Sequence, residues 1–278
     1  IVMIYPVKGQ GKDNELEMQP NRYYPYVNAM AEVEKYGKAF DSRILALLMH
    51  WEGTAPWCPP YVWPPYGGEA ELAKFRDALH ARGDLLGLYC SGTGWTQVST
   101  VDPSYSRTQE FLDKGLVRYM MRGPKGEIDA AVCNHTRAQR FGYDLCLTED
   151  WSRDTLVGEA AKMARFGADY CQFFDQNYGG GGGMCWCRTH AHPSVPGSWQ
   201  VAAMRSLQDD IVASVRGIGS SMTIGCEGAA ATPYVGNLFF NDARSFFSSR
   251  LGCPVPGVPF VLHEWMCNFS GNHITITL

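Results

Sequence analysis

Short apolar runs alternate along this chain with longer segments in which apolar residues recur every three or four positions. The runs Ile1–Val7, Ile44–His50, Leu85–Ser91, Asp169–Asp175, Met222–Glu227 and Val258–Glu264 read as strands, most of them too apolar for a sheet with one wet face. Pro25–Phe40, Glu69–Arg82, Ser152–Phe166 and Ser198–Gly217 read as amphipathic helices. Gly83 and Gly167 stand where a C-cap glycine would end a helix just before a strand. Ser152, ahead of Arg-Asp-Thr, reads as the N-cap of the third helix. Such alternation predicts an α/β fold, a parallel sheet covered by helices. Polar residues recur at successive strand ends (His50-Trp51-Glu52, Asp175, Glu227 and His263-Glu264-Trp265) instead of gathering at one crevice. That favours a (β/α)8 TIM-type barrel, of which six or seven strands are legible. Val117–Asn134 breaks the rhythm, with Arg122-Gly-Pro-Lys-Gly126 as a hairpin turn. The tail Ile274–Leu278 reads as a last barrel strand or the start of a following β-domain. With no repeat and no linker, residues 1–278 read as a single barrel domain, and a start at Ile1 suggests a piece of a longer polypeptide.

Composition narrows the function classes. At 278 residues and 45% hydrophobic, the chain can bury one sizeable core. A net charge of -4 without a basic stripe argues against a nucleic-acid partner. No apolar run approaches the roughly 20 residues of a membrane span. Of the ten cysteines, Cys90, Cys171 and Cys226 lie inside strand-like runs and read as small buried hydrophobes. Cys58, Cys185, Cys187 and Cys253 lie in loops, where an oxidising compartment would allow bridging. A secreted or periplasmic location is the expectation.

The chemistry centres on Asp175 and Glu227, each closing an apolar run and each followed by polar or glycine-rich sequence. A carboxylate at the C-terminal end of a barrel strand points into the site built by the βα loops. Two on neighbouring strands, about 4.8 Å apart, can cleave a glycosidic bond: one attacks the anomeric carbon and the other protonates the leaving oxygen. Aromatic residues surround them: Trp51, Trp57, Tyr61, Trp63, Tyr66, Trp95, Tyr178, Trp186 and Trp265. Their rings would stack on the C–H faces of a sugar, while His50, Glu52, Asn177, His263 and Glu264 would bind its hydroxyls; His50 and His263 read equally well as satisfied structural histidines, and Glu264 is also the reserve acid/base. The same aromatics could instead be a packed loop over the barrel rim. Cys185-Trp-Cys187 and His190-Ala-His192 offer zinc-type ligands, although their one-residue spacing is tighter than tetrahedral sites favour, and a disulfide or a pocket rim of thiols and imidazoles reads better. The run Gly179–Gly183 lacks the Lys-Ser/Thr of a phosphate loop and reads as a loop closing over substrate.

The order from Tyr119-Met-Met-Arg-Gly-Pro-Lys-Gly-Glu127 through Tyr143-Asp-Leu-Cys-Leu147 and helix Ser152–Phe166 to Gly167-Ala-Asp-Tyr170 and Phe173-Phe-Asp175 resembles retaining α-glycosidases. It is similar to the α-galactosidase clan and its endo-α-N-acetylgalactosaminidase relatives. The resemblance implies Asp175 as nucleophile and Glu227 as acid/base, with no cofactor and no metal. The sequence departs from the α-galactosidase pattern at Phe173, where those enzymes usually carry a Lys two residues before the nucleophile.

The function expected is therefore retaining hydrolysis of α-linked galactoside-like or N-acetylgalactosaminide-like substrates, in an oligosaccharide or glycoconjugate. Two other classes fit the same residues: a non-catalytic carbohydrate-binding barrel, and a zinc-dependent hydrolase built on Cys185, Cys187, His190 and His192.

Overall fold

The computed structural model describes residues 1–7, 9–10, 16–17, 19–54, 58–99, 102–128, 140–174, 182–228, 230–242 and 257–269. Its centre is a parallel sheet made of β1 (Val2–Ile4), β2 (Leu45–Leu48), β3 (Leu85–Tyr89), β6 (Tyr170–Phe174) and β7 (Thr223–Cys226), in that spatial order. Two further strands continue it. β8 (Phe240–Asp242) follows β7 through the parallel bridges Ile224↔Leu238 and Glu227↔Asp242, and β9 (Cys267–Phe269) pairs in parallel with β8. Each strand thus lies beside the next one in sequence, without the reversal of order that marks a doubly wound sheet. Between β3 and β6 the chain makes an antiparallel hairpin of β4 (Gly94–Ser99) and β5 (Arg140–Asp144).

Alternation of side chains gives this sheet two apolar faces. Ala46, Leu48, Leu86, Leu88, Cys171, Phe173 and Ile224 belong to the large core shared with the helices. These are α1 (Met30–Phe40), α2 (Glu69–Ala81), α3 (Thr108–Asp113), α4 (Asp150–Phe166) and α5 (Ser198–Gly217), which contribute Val33, Phe75, Phe111, Leu156 and Leu207. Leu45, Leu47, Met49, Tyr89 and Tyr170 form a second cluster on the opposite face, packed with Met3, Tyr5 and Phe240. Space there is tight: a Cβ on Gly87 would meet Leu47 and Leu45 at 3.0 and 3.1 Å. No described helix is long and apolar enough to cross a membrane.

Two acids stitch the N-terminal ends of the strands. Asp84 Oδ1 accepts the Ile44 N–H at 2.8 Å, and Asp169 Oδ2 accepts the Leu86 N–H at 2.8 Å. Gly167, at φ 93°, caps α4 in the left-handed region and turns the chain into β6.

The sequence reading needs two corrections. Ser152 is not an N-cap: α4 begins at Asp150 after Glu149, and Ser152 is buried inside its first turn. The run Val258–Glu264 is not a strand but a short helix, α6 (Gly257–Leu262), followed by a turn. A short apolar run has no period of its own, and Pro259 falls in the first helical turn, where its missing N–H costs nothing. The strand follows instead at β9. The tail Ile274–Leu278 lies outside the described residues.

Candidate active site

All parallel strands of the sheet end on the same side, and their last residues set the site. Phe174 on β6 pairs with Cys226 on β7, and the Glu227 N–H donates to the Phe174 carbonyl at 3.0 Å. Thr223, Gly225 and Glu227 alternate onto the face that carries Tyr170 and Phe240. A Cβ on Gly225 would stand 1.8 Å from the Phe240 carbonyl oxygen and 2.3 Å from the Tyr170 hydroxyl, so only glycine allows β7 and β8 to approach this closely. Asp175 follows Phe174 directly in sequence; it lies outside the described residues, as do Trp57, Asn177 and Tyr178.

Asp242, at the end of β8, is the principal site residue that the sequence reading missed. It bridges to Glu227, its carbonyl accepts the Gly228 N–H at 2.7 Å, and its side chain is fully buried. Its Oδ2 accepts from Gln172 Nε2 at 3.4 Å, and the Tyr170 hydroxyl lies 3.3 Å from Gln172 Oε1 and 3.0 Å from the Phe240 carbonyl. Burial pushes the Tyr170 phenol well above its ordinary range, with nearby thiols and Asp242 adding to the effect. Beside it, Asn241 Oδ1 accepts the Cys226 N–H at 3.1 Å and its amide donates to the Leu238 carbonyl at 2.8 Å. The signal was present: Leu238-Phe-Phe-Asn-Asp242 has the same form as Phe173-Phe-Asp175.

The first three strand ends bring together a second polar group. His50, after β2, holds left-handed backbone at φ 51°, a conformation costly for a residue with a Cβ, and its ring meets Tyr5 edge-on at 5.3 Å. Glu52 is buried, and its Oε1 accepts from the Ser91 hydroxyl at 3.1 Å. His50 and Glu52 thus lie just past the C-terminal end of β2.

Four of the expected aromatic residues, Trp51, Tyr61, Trp63 and Trp95, pack inward. Trp51 and Trp95 are fully buried, so neither ring can offer a surface to a sugar. The Trp51 indole donates to the Tyr89 carbonyl at 2.8 Å, and Trp95 packs among Tyr61, Phe111 and Trp151. Half-buried Trp63 lies against Trp51 and Phe166 and donates to Glu69 at 2.6 Å. The Arg107 guanidinium sits 4.4 Å above the Tyr61 ring, and burial together with Glu110 pushes that phenol up to about 12. Tyr61 and Trp63 thus follow the packed-loop reading.

His263, Glu264 and Trp265 are also misplaced. They form an exposed turn immediately before β9, which runs parallel to β8, so they lie at the N-terminal end of the sheet, opposite Glu227 and Asp242. The misread strand had put them at the wrong end, and Glu264 loses its standing as a reserve acid/base.

The Cys/His motif assembles with one member exchanged. One ligand atom from each of Cys146, Cys185, His190 and His192 lies within 4.8 Å of the other three. Cys187 turns instead to the Thr189 hydroxyl at 3.3 Å. Cys185 is pulled down to about 3 by its hydrogen bond with Cys146, against burial and helped by His190; the same bond drives Cys146 upward. Cys185 and Cys187 carry unbridged thiols. Cys90, just after β3, and Cys171, on β6, are buried side by side with sulfurs 3.5 Å apart, as small hydrophobes.

Several solved structures share this fold. The α-N-acetylgalactosaminidase NagBb from Bifidobacterium bifidum, in complex with Gal-NHAc-DNJ, superposes with a TM-score of 0.66 at 17% identity over 96% of this chain. The chain spans only 40% of that enzyme's length. The trehalose-6-phosphate hydrolase TreA from Bacillus licheniformis gives 0.53 at 11% identity, covering 86% of this chain and 47% of its own. The α-galactosidase TtGalA from Thermus thermophilus, with stachyose, gives 0.50 at 13% identity, covering 88% and 60%. No curated protein matches the sequence. The family model described as "Domain of unknown function (DUF6259)" matches residues 14–267, nearly the whole chain, and the protein belongs to that family.

Proposed function

We propose that this chain is the catalytic part of a retaining α-glycosidase, its sheet closing into a (β/α)8 barrel, with Asp175 as nucleophile and Glu227 as acid/base. One observation carries the reading: Phe174 and Cys226 are paired neighbours, so the two acids directly follow paired positions at adjacent strand ends. Neighbouring strands stand about 4.8 Å apart, close to the roughly 5–5.5 Å between carboxyls that retention needs. The fold shared with NagBb and TtGalA supports a galactoside-like or N-acetylgalactosaminide-like substrate, oligosaccharide or glycoconjugate.

In the first step the Asp175 carboxylate attacks the anomeric carbon while the departing oxygen takes the Glu227 proton, leaving a glycosyl ester on Asp175. In the second, Glu227 as carboxylate takes a proton from water, whose oxygen attacks the anomeric carbon and frees Asp175. Two inversions restore the original configuration. Asp242, held by Gln172, fixes the strand end beside Glu227. His50 and Glu52, just past the end of β2, would meet sugar hydroxyls.

Leaving-group dependence tests the acid/base assignment. Glu227→Ala should lower kcat about 10²–10⁴-fold on alkyl α-glycosides, which need a proton on the leaving oxygen. It should keep most of its activity on a dinitrophenyl α-glycoside, with added azide restoring turnover as a glycosyl azide. Equal loss on both substrates, without azide rescue, would remove Glu227 from that role.

A further inference from the structure

We propose that Cys146, Cys185, His190 and His192 form a closed, structural zinc site that ties the segment after the β6 strand to the end of the β4–β5 hairpin. It is independent of the glycosidase reading. The four ligand atoms come from two distant stretches of chain, yet each lies within 4.8 Å of the rest. Two thiolates and two neutral imidazoles match the donor set and charge that Zn²⁺ takes in tetrahedral structural sites.

The surrounding hydrogen bonds prepare both histidines as ligands. His190 Nε2 lies 2.8 Å from the Arg118 carbonyl, which can only accept, so the ring proton sits there and Nδ1 keeps its lone pair. That Nδ1 faces Cys185 Sγ at 3.5 Å. His192 shows the mirrored arrangement: Nδ1 donates to the Pro193 carbonyl at 2.7 Å, leaving Nε2 as the lone-pair nitrogen. This Nε2 is buried and has no hydrogen-bond partner among the described residues, while the ring is fixed by stacking on Trp199 at 3.8 Å. Orientation of metal-bound histidines by backbone carbonyls is a recurrent feature of zinc sites. The sulfurs are likewise supported: Cys185 accepts the Arg122 N–H at 3.4 Å, and Cys146 lies 3.2 Å from the Thr148 hydroxyl.

Because the protein supplies all four ligands, no coordination position remains for water or substrate, which separates this site from a zinc hydrolase. Its role is mechanical. Cys146 stands between β5 and α4, and Cys185 to His192 lie between β6 and α5, so the metal would clamp the segment that follows the sheet's fourth central strand. Sequence spacing had suggested Cys187 in place of Cys146, because the long-range partner is invisible to a local motif.

The test is elemental analysis of the protein purified without chelator, with wild type and the Cys146→Ser, His192→Ala and Cys187→Ser variants side by side. About one zinc per chain is expected in the wild type and in Cys187→Ser, falling at least about tenfold in the other two, as for loss of a first ligand. Should those variants fail to fold, Co²⁺ exchanged into the wild type reports directly: a thiolate-to-cobalt charge-transfer band with intense tetrahedral d–d bands is expected. A wild type without zinc and without those bands would overturn the proposal. So would a Cys146–Cys185 disulfide found by mass mapping, or metal lost on replacing Cys187.

Discussion

Residues of one type do different work here according to where the strands put them. Asp84 and Asp169 close the starts of strands and accept backbone N–H groups of the neighbouring strand, whereas Glu52, Glu227 and Asp242 stand at strand ends. The sequence distinguishes the two groups by whether the acid precedes or follows its apolar run, and for Glu227 that was enough. For tryptophans it was not: a ring in a loop can face out or in, and only the long-range partners Tyr61, Phe111 and Trp151 decide that Trp95 faces in. Trp95→Ala should therefore cost about 3–5 kcal/mol of stability in denaturant unfolding, as a large core ring does. A cost under about 0.5 kcal/mol, the range for surface positions, would return Trp95 to the rim.

At the scale of elements, five of the six expected strands and all four expected helices are present, because each carries a long or strongly apolar pattern. The failures at the C-terminal strands come from shortness. β8 and β9 each have only three residues, and α6 has six, too few for a helical period to differ from an apolar strand. The β4–β5 hairpin went unread because its partners are far apart in sequence. Close approach of β7 and β8 rests on Gly225, whose added Cβ would overlap the Phe240 carbonyl. Gly225→Ala should push β8 away, costing about 3 kcal/mol by overpacking, and displace Glu227 two residues on. Its urea midpoint should fall, and a midpoint equal to wild type would show that the two strands do not pack as described.

Across the whole molecule, sequential strand order, two buried faces and polar strand ends on one side form a consistent picture. It is the picture that the alternating pattern predicts, and the fold shared with NagBb agrees with it. What the sequence could not disclose is what depends on contacts between distant segments, above all Cys146 beside Cys185. The central claim concerns the pair Asp175 and Glu227, and the anomer released first tests it most directly. Hydrolysis of aryl α-galactoside and aryl α-N-acetylgalactosaminide should be followed by proton NMR before mutarotation, with wild type and Asp175→Ala. The account predicts the α-anomer as first product and no turnover by the variant. The β-anomer as first product, or a variant as active as wild type, would contradict it.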